Sequence, residues 1–222
     1  MFLGHYGVAL AAKGTEAGRR TSLGTLVFGA QLLDLLWPIL LLAGVERARI
    51  VPRLMAASAL DFEHYPWSHS LLMTLVWAAL AGVVYYAMRR RSRAAWLLGG
   101  LVLSHWLLDL PFHRPDLPLY PGSDAYFGGG LWNSVAATLA IEGLLFATGV
   151  AVYARTTRAR DRIGSWGLWA GVALLVVFYA ASFAGTPPDT TALAIGGLTL
   201  WLLVPWAAWI DRHRASRVGG ER

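Results

Sequence analysis

Three carboxylic acids stand inside otherwise apolar stretches of this 222-residue chain: Asp34, Asp109 and Glu142. A charged side chain at mid-membrane depth opposes insertion by about 2.5–3.5 kcal/mol, so together they cost on the order of 8–10 kcal/mol on that scale. They need a partner, yet none of these stretches contains an arginine. Either the acids are protonated or a cation neutralises them. Histidine placement favours the cation. His105 and Asp109 are four apart and share a helix face. His64 and His69 flank a Tyr65-Pro66-Trp67-Ser68 turn, His5 lies in the opening apolar segment, and His113 follows Asp109 by four. Imidazole and carboxylate are the ligand set of zinc, manganese or iron hydrolase sites. There is no cysteine, so no thiolate can ligate a metal or act as nucleophile.

The first-choice metal ligands are His5, Asp34, His69, His105 and Asp109, holding one or two ions, with zinc the best match and Asp109 the natural bridge. His64 and His113 are second choices as ligands, or a general acid and base near the mouth. Arg114 is the nearest basic residue that could hold a developing anion. Glu142 could join the site or bond to Asn133, Ser134 or a tyrosine, and His213 reads as a solvated tail residue.

The elements that must position these groups follow from composition. Hydrophobic residues make up 56% and charged residues only 14%, against about a quarter charged in soluble domains. Mean hydropathy is +0.50 and the pI about 10.1. The basic residues form no continuous stripe. They sit between apolar runs, which argues against a nucleic-acid partner and for membrane-flanking charge. Six stretches approach the roughly 20 residues that cross a bilayer: about 23–45, 70–88, 94–112, 131–153, 166–184 and 191–210. The third is the weakest, because it carries His105 and Asp109. Residues 1–12 are too short to span and predict a half-membrane, re-entrant or interfacial helix. The fold class is therefore an all-α polytopic membrane bundle in a single domain, residues 1–222, with the candidate ligands concentrated in residues 1–125.

Placing residues 13–22 in the cytoplasm leaves only Arg47, Arg49, Arg53 and Arg114 of the 19 basic residues outside. The positive-inside rule then puts both termini, including Arg222, in the cytoplasm. Residues 46–69 and 111–130 are the long outer connections, the second rich in proline and ending in three glycines. Residues 154–165 read as a short arginine-rich loop. No internal repeat is evident, which weakens an inverted-repeat transporter.

The order Gly4-His5, Asp34, His64-Tyr65-Pro66-Trp67-Ser68-His69-Ser70 and His105-x-x-x-Asp109 resembles the bacterial predicted membrane-bound metal-dependent hydrolases of the inner membrane. The likeness covers about residues 1–125. Tyr65 and Pro66 stand where that family has Arg-Gly, and Asp34 stands alone where it often has two acids. More distantly, the order is similar to zinc-dependent phospholipases C. The resemblance implies a metal-bound hydroxide acting on a phosphoester, small or lipid-linked. A second reading is a small transporter, permease or proton conductor whose path uses Asp34, Glu142 and the histidines.

Overall fold

The structure, a computed structural model, describes residues 1–217; Arg222, placed above with the inner-side basic residues, lies outside them. The described residues form ten α-helices: α1 (Leu3–Ala12), α2 (Glu16–Arg19), α3 (Leu23–Leu42), α4 (Pro66–His69), α5 (Leu71–Arg89), α6 (Ser92–Asp109), α7 (Val135–Thr156), α8 (Arg162–Ala184), α9 (Thr190–Leu198) and α10 (Leu200–Arg212). Their starts are encoded locally. Ser70, Ser134, Asp161 and Asp189 each accept the third backbone N–H of the helix that follows, the N-cap bond that satisfies an otherwise orphaned donor.

Five helical segments are long and apolar enough to cross a membrane: α3, α5, α7, α8 and the α9–α10 pair. The bundle is all-α, as expected. The remaining expected span, residues 94–112, forms α6, which is not among the five. The reason is its buried stripe. Ala94, Ala95, Leu98, Leu101, Val102, His105, Trp106 and Asp109 recur at helical spacing and face inward. That inward face carries the polar groups that lower the helix's hydropathy.

The short α1 rises about 15 Å and is buried along most of its length, packed against α3, α6, α7 and α8. Its crossing with α7 is close. A Cβ on Gly149 would strike the backbone of Gly7, and one on Gly7 would strike that of Leu145. Small residues are what permit backbones to approach this way.

The outer connections hold more order than loops. Residues 46–69 contain the antiparallel ribbon β1 (Arg47–Ile50) and β2 (Leu60–His64) before the α4 turn. Residues 111–130 include β3 (Leu117–Pro118) paired with β4 (Tyr126–Phe127). At the opposite end, β5 (Thr157–Ala159) pairs with β6 (Arg214–Ser216), so residues 154–165 are latched to the tail rather than free. His213, expected to be solvated, lies with Nδ1 2.7 Å from Asp161 Oδ2.

That end is tied together by Asp211. It accepts from Lys13 Nζ at 2.7 Å, from the Leu23 amide at 3.0 Å and from the Tyr153 hydroxyl at 3.0 Å. The Lys13 and Asp211 side chains are only 6% and 15% exposed. Removing one partner of such a pair strands a buried charge. D211A is expected to lose about 3–5 kcal/mol of stability, read as a lower midpoint on titrating the detergent-solubilised protein with SDS.

Asp161 gives a pH signature. The hydrogen bond with His213 and the amide of Gly164 hold its carboxyl below the usual range. A lowered carboxylate pKa stabilises the fold above the unfolded value, and the contribution vanishes as pH falls through the folded one. The melting-temperature gap between wild type and D161A should be present near pH 5 and close as pH drops below about 4, the ordinary aspartate value.

Candidate functional site

The site is built where α6 ends. His105 and Asp109 occupy successive turns of its buried face. Pro111 stops the helix, yet the His113 amide still bonds the Asp109 carbonyl at 3.0 Å. That bond adds one more turn and brings His113 onto the same side. α3 supplies Asp34, α1 supplies His5, and the four-residue α4 turn, started by Pro66, supplies His69.

These side chains meet around two carboxylates. Asp109 Oδ1 lies 3.1 Å from His5 Nε2, and Asp109 Oδ2 lies 3.2 Å from His105 Nε2. His69 Nε2 and His113 Nε2 are each 4.0 Å from Asp109 Oδ2. Asp34 Oδ1 is 3.6 Å from both His69 Nε2 and His105 Nε2. The Met1 amino group also reaches Asp109 Oδ1, at 2.5 Å, as a cation would. Two sets, His5–His105–Asp109 and Asp34–His69–His105, keep their ligand atoms within 4.8 Å of one another. Ligands at zinc-like bond lengths in a tetrahedron are about 3.3 Å apart, so these separations fit a cation.

Three of the four rings are anchored on their far sides. His105 Nδ1 lies 2.7 Å from the Ala30 carbonyl, which fixes it as donor and leaves Nε2 as a lone pair. That Nε2 is buried and has no hydrogen-bond partner. His69 Nδ1 lies 2.7 Å from Ser68 Oγ, which itself donates to Glu46 Oε2 at 2.7 Å. Glu46 Oε1 accepts the Ser68 amide at 2.8 Å. His113 Nδ1 lies 2.9 Å from Asp116 Oδ1, which also accepts from the Tyr65 hydroxyl at 2.8 Å. Burial pushes His113 down toward the neutral imidazole and pushes Glu46 up. A carboxylate, hydroxyl or carbonyl behind an imidazole is the arrangement that orients metal-ligating histidines. The His5 ring stacks on His105 with centroids 3.6 Å apart.

A cavity of about 980 Å³ opens over the cluster and is lined by Asp34, His69, Asp109, His113 and Glu142 on its polar side. The Asp34 side chain is 23% exposed and that of Asp109 only 2%.

The five first-choice ligands and His113 thus come together. His64 does not. It pairs with Arg47 in the ribbon and shares no hydrogen bond or ion pair with the cluster among the described residues. Arg114 is committed elsewhere, to Asp61 and, at 3.3 Å, to Asp116. Glu46 and Asp116 were not singled out from sequence, because no spacing rule ties position 46 to 68.

With this geometry in hand, one comparison is informative. The family described as YdjM inner membrane protein matches residues 2–187. The chain belongs to the YdjM inner membrane protein family. No curated protein and no solved structure matches it.

In this YdjM-family chain, Glu142 has a structural task. Its Oε2 accepts the Phe2 amide at 2.7 Å and the Gly4 amide at 3.4 Å, so α7 caps the start of α1. The cap sets the depth of His5. Hydrogen exchange at the amides of residues 2–4 is expected to speed up about tenfold in E142A, the loss of roughly 1–1.4 kcal/mol typical of one cap; unchanged exchange would show that α1 is held without it.

Proposed function

We propose that this protein is an integral membrane metal-dependent hydrolase acting on a phosphoester or lipid-linked substrate. The observation that carries the reading is the convergence of four imidazole Nε2 atoms on Asp109 and Asp34, three of those rings being anchored from behind through Nδ1. The donor set is nitrogen and carboxylate oxygen without sulfur, which suits zinc, with manganese and iron as alternatives. A bound ion in such a site supplies hydroxide at neutral pH.

The residues divide the work. His69 and His105, tied back through Nδ1, present Nε2 lone pairs, His5 turns its Nε2 to Asp109, and Asp109 offers one oxygen to each side of the cluster. Asp34, at the cavity edge, is the carboxylate nearest an incoming ligand. His113, with Asp116 behind it, is placed to take or return a proton at the cavity floor. The cavity opens at the end of α6 opposite the Arg89–Arg93 turn, which the arginine distribution assigns to the outer side.

A conduction path fits less well. Between the amino end of α3 and Asp34, the polar side chains of that helix are Thr25 and Gln31, and the buried face of α1 towards its carboxyl end is apolar apart from the Tyr6 hydroxyl. A path needs relays across the full thickness, whereas these groups form one pocket.

Elemental analysis of the purified protein is expected to find one or two zinc, manganese or iron ions per chain. H105A and D109A should each strip it, while H64A should retain it. Absence of stoichiometric metal in the wild type, or its retention after both H105A and D109A, would overturn the reading. E46A should weaken zinc affinity about 10–100-fold, the usual effect of removing a group behind a ligand, with the helical content unchanged.

A further inference from the structure

Arg53 lines the same cavity as the two carboxylates. Of the outer arginines, Arg47 and Arg53 have no side-chain partner among the described residues, and of these two Arg53 is the one that lines the cavity. Arg49 pairs with Asp61 and Glu63, and Arg114 with Asp61 and Asp116. Arg53 makes no hydrogen bond or ion pair among the described residues, and its side chain is exposed to the cavity mouth.

Its backbone is unusual. Residues 51–54 close a turn through a 3.1 Å bond from the Leu54 amide to the Val51 carbonyl. Pro52 occupies the second position and Arg53 the third, with φ +64°. A turn of this pattern calls for glycine or asparagine at the third position, and a long side chain there is strained. Strain of this kind persists at sites where the side chain is needed. Glycine would relax the turn and remove the guanidinium.

Much of the remaining wall is apolar, interrupted by Ser58, Thr138, Ser182 and Thr186. Trp37, Met55, Phe62, Trp132, Phe183 and Leu193 face the cavity beside the polar floor. A volume near 980 Å³ lies at the upper end of the range for sites that enclose a drug-sized ligand, far more than a lone oxyanion fills.

We propose that Arg53 is the anion-recognition residue of this cavity, and that the ligand is an amphiphile with a phosphate head. The head lies between the metal centre and the guanidinium, and the apolar body lies along the tryptophan-rich wall. This rests on the metal-site reading above. Guanidinium suits phosphate because its donors form a planar fork.

The test uses the full chain in maltoside detergent, zinc-loaded and zinc-free, with dihexanoyl phosphatidate and inorganic phosphate as probes. Binding is read by tryptophan fluorescence, since Trp37 and Trp132 line the cavity. Phosphatidate should bind more tightly than phosphate. R53G should weaken both about tenfold or more, with a melting temperature equal to or above that of the wild type. R53K should recover part of the loss. Equal affinity of R53G and wild type, or failure of the wild type to bind either probe, would overturn the assignment to Arg53. Equal affinity for the two probes would overturn the apolar half of the ligand. If zinc-free and zinc-loaded protein bind alike while R53G still loses affinity, the metal reading fails and the arginine assignment stands.

Discussion

The structure turns on one buried carboxylate. Asp109 sits in the bundle interior with imidazole nitrogens from α1 and α6 close to it, and those of His69 in α4 and His113 after α6 each 4.0 Å away. An ionised group removed from water needs compensation close by, or it neutralises. The surrounding elements supply that compensation from three separate stretches of chain: α1, the α4 turn, and α6 with the turn that follows it. Seen this way, the short α1 is no failed membrane span. It is the element that carries His5 to the depth of Asp109, seated on α7 at the Gly7–Gly149 crossing and capped there by Glu142.

Irregular backbone at membrane depth is tolerated only where protein covers it. The segment after α6 meets that condition with its own hydrogen bonds. Gly129 and Gly130 donate to the Leu110 and His113 carbonyls, each at 2.7 Å, and Leu131 and Trp132 donate to those of Pro111 and Phe112. The chain thereby straps the end of α6 and fixes His113. Side chains would not fit: a Cβ on Gly128 or Gly129 would collide with the backbone of Arg114 or Pro111. The three-glycine run noted in the sequence is the inner half of this strap.

The helices were legible because hydropathy and capping residues are local signals. So was the set of side chains that cluster, because His and Asp are costly in apolar stretches wherever they occur. Three things were not legible. The Glu46–Ser68 pairing links positions 22 apart across a ribbon, and nothing local distinguishes Glu46 from a loop acid matched to nearby arginines. Glu142 stays open between the site and a structural bond in the sequence, because its cost is the same whether it binds a ligand or caps a neighbouring helix. Arg114 reads from sequence as the basic residue nearest the site, to hold an anion, yet its partners Asp61 and Asp116 come from the folded ribbon and strap. His69 is a first-choice ligand of the sequence reading and His64 a second choice. The α4 turn separates them, leaving one in β2 and sending the other into the core.

The two carboxylates are not interchangeable, and that difference bears on chemistry. Asp109 has both oxygens engaged by imidazoles and a side chain only 2% exposed, so an exchanging ligand has little access to it. Asp34 shows one oxygen to His69 and His105, and its side chain is 23% exposed at the cavity. A centre that turns over needs both a fixed anchor and a position open to exchange. Asp109 has the surroundings of the anchor and Asp34 those of the open edge. That asymmetry is what a pathway of equivalent proton relays would not require, and it favours a site approached from one side.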